Sequence, residues 1–173
     1  DKNSDLFVEG FAYVDLTTWE SAESTNLTTN GNTHLVECDM GSTGSQQDTI
    51  VVALSGFTTS ADYFPTIKSN RASATGFNTT GIIDENAYYT VKMNSGIFFF
   101  YTSDKKVSFD GLQAINNASD SFGYMIPGAG ALIQNCLIHN TGTSTTARGI
   151  VSAKNGTDIK NCVFTGFQGS SSS

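Results

Sequence analysis

Charge is scarce in this 173-residue chain: Asp, Glu, Lys and Arg make up 14% of it, well under the share usual in soluble domains. Cations are scarcer still, with nine Lys plus Arg against sixteen Asp plus Glu and a net charge of −7. Phosphate binding needs clustered cations, so the composition argues against nucleic acid as a partner. Three cysteines are too few, and odd in number, for a disulfide scaffold. No apolar run approaches the roughly 18 residues needed to cross a membrane, so no span is expected. His34 and His139 are far apart and lack the Cys or carboxylate spacing of a zinc site; no metal and no cofactor is expected. Gly-x-Ser-x-Gly is absent, and Gly128-Ala129-Gly130 lacks the lysine and later glycine of a phosphate loop.

What fills the space is small and polar. The chain holds 20 Ser, 22 Thr, 14 Asn and 17 Gly, over two fifths of its length. Helical proteins lean on Ala, Leu, Glu, Lys and Arg, so this balance favours an all-β fold of short strands joined by turns. The length suits one domain with a real core. The chain starts at Asp1 without Met, as expected when an N-terminal segment has been removed or left out. Asn26, Asn78, Asn117 and Asn155 begin Asn-x-Ser/Thr triplets and are candidate N-glycosylation sites. Low charge and high hydroxyl content fit an extracellular surface or a virion better than a cytosolic enzyme.

The most informative feature is a repeat. Ile133-Gln134-Asn135-Cys136-Leu137-Ile138 recurs as Ile159-Lys160-Asn161-Cys162-Val163-Phe164, with one constant offset at all positions. Gly123-Tyr124-Met125 and Gly149-Ile150-Val151 share that offset, and Asn155-Gly156 falls opposite Ala129-Gly130. Phe109-Asp110-Gly111-Leu112-Gln113-Ala114 stands one slightly shorter period ahead of the first copy. Phe109, Ile133 and Ile159 read as the inward end of a short strand. Gly111, Asn135 and Asn161 tolerate positive φ and can bend the chain. Leu112, Cys136 and Cys162 re-enter the core, with Ala114, Ile138 and Phe164 following at period two. Strand, one-residue bend and second strand, repeated about every 25 residues, describe one coil of a β-solenoid with equivalent residues stacked about 4.8 Å apart. Cys136 and Cys162 are then neighbours, expected as stacked structural thiols rather than a disulfide, and Cys38 as another core residue.

Looser rungs lie upstream, at Leu35–Cys38, Thr49–Leu54, Pro65–Lys68 and Tyr88–Met93, with Ile97–Tyr101 as a third face. The stretch 35–167 thus holds about five coils. Ahead of it, 1–34 reads as an apolar β-like segment, Leu6–Val14, then a short capping helix to about Ser24. Thr17 and Glu20 fit a capping box, and Trp19 is placed to cover the first coil. Residues 168–173 read as a Ser-rich tail or linker, and no equally apolar cap follows Phe167.

With its Ile-x-Asn-Cys-x-Ile rungs at 133–138 and 159–164, the chain resembles the right-handed parallel β-helix proteins of the pectate-lyase-like superfamily. The segments Asp15–Glu23, Gly56–Ile67 and Val107–Gln113 look most like an uncharacterised group common in phage and environmental bacterial genomes. The resemblance implies the fold. The superfamily includes polysaccharide lyases and hydrolases, phage tailspikes and surface adhesins, so it leaves activity open.

A lyase on this fold needs clustered outward carboxylates and a nearby base. Asp84, Glu85, Asp110 and Arg148 are the candidates, but Asp110 is the one carboxylate in the ladder it shares with Gln134 and Lys160. Alternation along the Ile97–Tyr101 strand leaves Phe98 and Phe100, or Phe99 and Tyr101, outside. They are either buried under the Ser103–Lys106 loop or free to stack on sugars or a partner subunit. Phe98, Phe100 and Tyr101 are the candidate glycan contacts. The favoured expectation is a non-catalytic structural or adhesion module whose partners are copies of itself or another surface or virion protein. A polysaccharide lyase or hydrolase, and a polysaccharide-binding module without catalysis, are the alternatives. Leu6, Phe7, Val8, Phe11 and Tyr13 would supply a strand to the end bearing Phe164 and Phe167, growing a filament.

Overall fold

Positive φ falls on the bends named by the repeat. Gly111, Asn135 and Asn161 have φ of 72°, 56° and 52°, and the two asparagines are the non-glycine cases among the described residues. In the computed structural model the described residues are 13, 15–38, 47–48, 52–69, 82–84, 89–93, 98–101, 105–117, 124–126, 129–143, 150 and 155–167. They form helices α1 (Leu16–Glu23) and α2 (Leu27–Asn30), then strands β1 (His34–Cys38), β2 (Gln47–Asp48), β3 (Val52–Ala53), β4 (Pro65–Ser69) and β5 (Thr90–Met93). There follow β6 (Phe98–Tyr101), β7 (Ser108–Asp110), β8 (Gln113–Asn116), β9 (Tyr124–Ile126), β10 (Leu132–Gln134), β11 (Leu137–Asn140), β12 (Asp158–Lys160) and β13 (Val163–Thr165).

Every strand pairing among these is parallel, which makes this an all-β parallel fold with little helix. The sheet orders are β1-β4-β7-β10-β12, β13-β11-β8-β5-β2 and β3-β6-β9. The two larger sheets hold five strands each and the third holds three. Register puts like on like. Val36, Ile67, Phe109, Ile133 and Ile159 form one inward column; Asp48, Val91, Ala114, Ile138 and Phe164 form another, apolar from Val91 onward. Ile67, Phe109, Ile133 and Ile138 are wholly buried, each such side chain stabilising the fold by about 1.5–3 kcal/mol. The turns stack too: Gly130 N donates to Asn155 O at 3.2 Å, and Gly130 and Gly156 both hold positive φ.

The upstream tiers are spaced more widely in sequence than the repeat. Val36 pairs with Ile67, and Ile67 in turn with Phe109, the extra chain being spent between strands rather than within them. The same register corrects the outward ladder, which reads Glu37, Lys68, Asp110, Gln134, Lys160 and so holds two carboxylates with a lysine between them.

The N-terminal helix forms where expected but is capped differently. Asp15, not Thr17, is the N-cap, accepting from Thr18 N at 2.6 Å. A carboxylate at the positive end of the helix supplies the acceptor, so Thr17 lies within the first turn. Glu20 does not reach back; its Oε1 accepts from Gly56 N at 2.7 Å. Trp19 stacks on Phe57 with ring centroids 5.2 Å apart, and His34 meets the same ring edge-on at 5.7 Å. Tyr13 donates to the Glu23 carboxylate, which raises the phenol's pKa. Together with buried Leu16 and Leu27 these groups cover one end of the core.

The bend and the cap can each be probed by unfolding. Asn135→Ala is expected to cost about 1–3 kcal/mol in urea unfolding, through left-handed strain and a lost hydrogen bond, and Asn135→Gly less; equal losses would contradict the bend's role. Burial beside Phe57 lowers the pKa of His34, with Glu23 pulling weakly the other way. The unfolded chain therefore binds more protons just below pH ~6.5. Stability is expected to be full above that value and to fall as pH drops through it, more steeply in the parent chain than in His34→Gln; parallel melting-temperature profiles would refute this.

Candidate functional site

The Asp110 carboxylate and the Asp84 backbone are tied into the scaffold. Asp110 ends β7 just before the Gly111 bend, which aims it along the outer face toward the next tier. Its Oδ2 accepts from Gln134 Nε2 at 3.0 Å and its Oδ1 from Asn135 Nδ2 at 2.7 Å. Asn161 Nδ2 continues the ladder to Asn135 Oδ1 at 3.4 Å. Both Asp110 oxygens thus hold the next tier in place. Asp84 is exposed, and its backbone is clasped by buried Gln113, whose Oε1 accepts from Asp84 N at 2.9 Å and whose Nε2 donates to Asp84 O at 3.0 Å. That clasp explains why Gln113 can be buried. Glu85 and Arg148 lie outside the described residues. No group of three His, Cys, Asp or Glu able to hold a metal occurs among the described residues.

Phe98, Phe100 and Tyr101 all fall in β6, where only the backbone is described. Register sets Phe100 opposite buried Val52 and Tyr101 opposite exposed Ala53, with an irregularity between Phe98 and Phe100. Of the triplet asparagines, Asn26 is exposed and caps α2 by accepting from Thr29 N at 2.9 Å. Asn117 is exposed and accepts from the Thr141 hydroxyl. Asn155 is exposed in a turn, and Asn78 is outside the described residues.

Four large apolar side chains are exposed among the described residues: Leu35 on β1, Ile82 in a loop, and Ile159 and Phe164 on the last tier. Ile159 is 47% exposed and Phe164 39%, whereas Ile133 and Ile138, one tier below in the same columns, are both at 0%. Phe167 and Cys162 are half-buried against the core. β12 and β13 are end strands of their sheets, so one edge of each presents backbone groups with no strand partner among the described residues. Asp158 and Lys160 pair at 3.2 Å on the outside of β12 with both side chains mostly exposed, an ion pair too solvated to matter much for stability. The opposite end differs because α1, Trp19 and Phe57 lie over it. Of the residues expected at an assembly contact, Leu6, Phe7, Val8 and Phe11 lie outside the described residues. Tyr13 is engaged with its own Glu23, and Phe164 and Phe167 are on the last tier.

The sequence could name this tier but not its thiol chemistry. Val163 N donates to Cys136 O at 2.9 Å, which holds Cys136 and Cys162 one above the other. Both are free thiols. Hydrogen bonding to Cys162, then burial, push the Cys136 thiol well up. The same hydrogen bond from Cys136 brings Cys162 down to about 7, against the opposing effect of burial.

Replacing Asp110 with Ala is expected to cost about 1–3 kcal/mol in urea unfolding, since the Gln134 and Asn135 amides lose their acceptor. Asp110→Asn, which keeps one carbonyl, should cost less. An unchanged unfolding midpoint for Asp110→Ala would show that the staple contributes nothing. Comparison with known proteins returned no matching family model, no matching curated protein and no matching solved structure.

Proposed function

We propose that this chain is a non-catalytic structural or adhesion module: a right-handed parallel β-helix, a solenoid spanning 35–167, that joins copies of itself end to end in an extracellular fibre or on a virion. The observation carrying this reading is the exposure of Ile159 and Phe164, in columns whose interior members Ile67, Phe109, Ile133, Val91, Ala114 and Ile138 are sealed. A parallel tier with an apolar interior is completed by another parallel tier, and a second copy of the chain offers one.

Charge supports the same occupant. At the far end of the sheet that finishes with β12 stands β1, with Val36 in the inward column and Glu37 in the outward one. In this sheet a copy stacked in continuing register sets Val36 over Ile159 and Glu37 over Lys160, extending the alternation already present at Glu37, Lys68 and Asp110. In the other sheet the position over Phe164 is Asp48. α1 packs chiefly against β3, so the cover at that end is partial. The contact is head-to-tail, and repetition makes a filament. Residues 6–14 are the segment that would add a strand at the joint.

The test is the mass of the purified chain across concentration, by light scattering. Growth beyond the 18.4 kDa monomer is expected, weakened by deleting residues 1–14. Lys160→Glu should weaken association by roughly threefold to tenfold at low salt, and the Glu37→Lys, Lys160→Glu double exchange should restore most of it. A monodisperse monomer at every concentration, with and without residues 1–14, would end this reading.

A further inference from the structure

The pair of stacked thiols does more than fill space. Cys136 is fully buried, enclosed between tiers, with its Sγ 3.1 Å from Gln134 O and 3.9 Å from Phe109 O. Cys162 occupies the equivalent position one tier on, 3.2 Å from Lys160 O and 3.5 Å from Ile133 O. The described residues set no tier above it, so its sulfur is half-buried. Both cysteines follow an asparagine bend at the same place in the repeat, and they differ in what covers them.

That asymmetry divides two roles between them. A thiolate, not a thiol, is the nucleophile, and it needs solvent access together with a group that stabilises its charge. Cys162 has both: it lies at the edge of the core, and the Cys136 S–H beneath it can turn from the Gln134 carbonyl to the Cys162 sulfur once that sulfur is ionised. Backbone hydrogen bonding at Cys136 and Lys160 pulls the same way, and these effects bring Cys162 down to about 7. Asp110 is the charged group acting on it, and it opposes ionisation. Cys136, in contrast, is held protonated by the same contact and by burial. Parallel neighbours about 4.8 Å apart also fall within the roughly 4.4–6.8 Å Cα separation that a disulfide accepts. Cys38 stands in another column, in register with Ser69, and is buried.

We propose that Cys162 is a nucleophilic thiol-modification site whose oxidation by a peroxide is resolved by Cys136, leaving a disulfide between the last two tiers. The Cys162 thiolate attacks one peroxide oxygen, the O–O bond breaks, and hydroxide leaves, giving a sulfenic acid at Cys162. The Cys136 sulfur then displaces the hydroxyl from that sulfur, an S–S bond forms, and the hydroxyl departs as water with the Cys136 proton. Two thiols and one hydrogen peroxide become one disulfide and two waters; the two sulfurs are oxidised and the peroxide is reduced. A copy stacked on the last tier would cover Cys162 as well, so this chemistry is that of the unassociated chain and is read at dilution.

The test uses the full chain, reduced, dilute and folded. Iodoacetamide should alkylate Cys162 alone, with a rate that rises through a midpoint near pH 7, while Cys38 and Cys136 react only after denaturation. One equivalent of hydrogen peroxide should remove two hydrogens' mass and join the fragments carrying Cys136 and Cys162 in a non-reducing peptide map, reversibly with dithiothreitol. In Cys136→Ser the sulfenic acid should persist and be trapped by dimedone at Cys162. The proposal is overturned if native Cys162 resists alkylation, if its rate midpoint lies at the ordinary thiol value of about 8.5, or if peroxide yields only disulfides between chains. The first two readouts need no substitution, so a variant that fails to fold cannot decide the matter.

Discussion

The structure depends on parallel strands stacking in register, so that each residue lies directly over its equivalent in the next tier. In such a stack an inward position is inward on every tier, and one side chain of the wrong kind disturbs two neighbours. This is why Ile67, Phe109 and Ile133 recur down one column and why the bends are confined to Gly and Asn. Stacking also lets amides bond along the ladder. The chain from Asp110 through Asn135 to Asn161 on the outside, and that from Asn116 Nδ2 to Asn140 Oδ1 at 2.8 Å inside, tie tiers together where hydrophobic contact is thin. Gly166 stands one period after Asn140 because a Cβ there would come within 2.0 Å of the Asn140 carbonyl oxygen.

A stack of this kind has a distinctive weakness at its ends. Every interior tier is covered twice, and a terminal tier only once. At the N-terminal side the chain answers with α1: Trp19 is laid on Phe57, and Glu20 reaches across to the Gly56 amide. Gly56 is required there, since a Cβ would sit 2.5 Å from the Ser24 side chain. On the last described tier the columns stop at Ile159 and Phe164, half in water. The same incompleteness makes Cys162 chemically different from Cys136, so one geometrical fact underlies both the association and the thiol chemistry proposed above.

Much of this was legible in the residues, and the limits have physical causes. The copies at 109, 133 and 159 could be aligned because their intervening loops are nearly equal in length. Lys68 and Glu37 belong to the same ladder, but a much longer connection separates Lys68 from its partner Asp110, so the period is lost and the alternating charges were invisible. Local pattern placed the helix correctly but misassigned its cap. Thr17 and Asp15 both satisfy the local rule, and Glu20 is drawn away by the distant Gly56 amide. The charge of Asp110 is visible in sequence; its two amide partners, Gln134 and Asn135, lie one tier away and are not. The difference between the two thiols was likewise out of reach, because it arises from position in the stack rather than residue type.

The most direct measurement of the central claim is a set of backbone nuclear Overhauser contacts in isotope-labelled protein. In-register parallel stacking predicts contacts between the backbones of Phe109 and Ile133, Ile133 and Ile159, and Ile138 and Phe164. Protected amides are also predicted at Asn135 and Val163, which donate across tiers. Cross-strand contacts in the antiparallel pattern, or none between these equivalent positions, would contradict it.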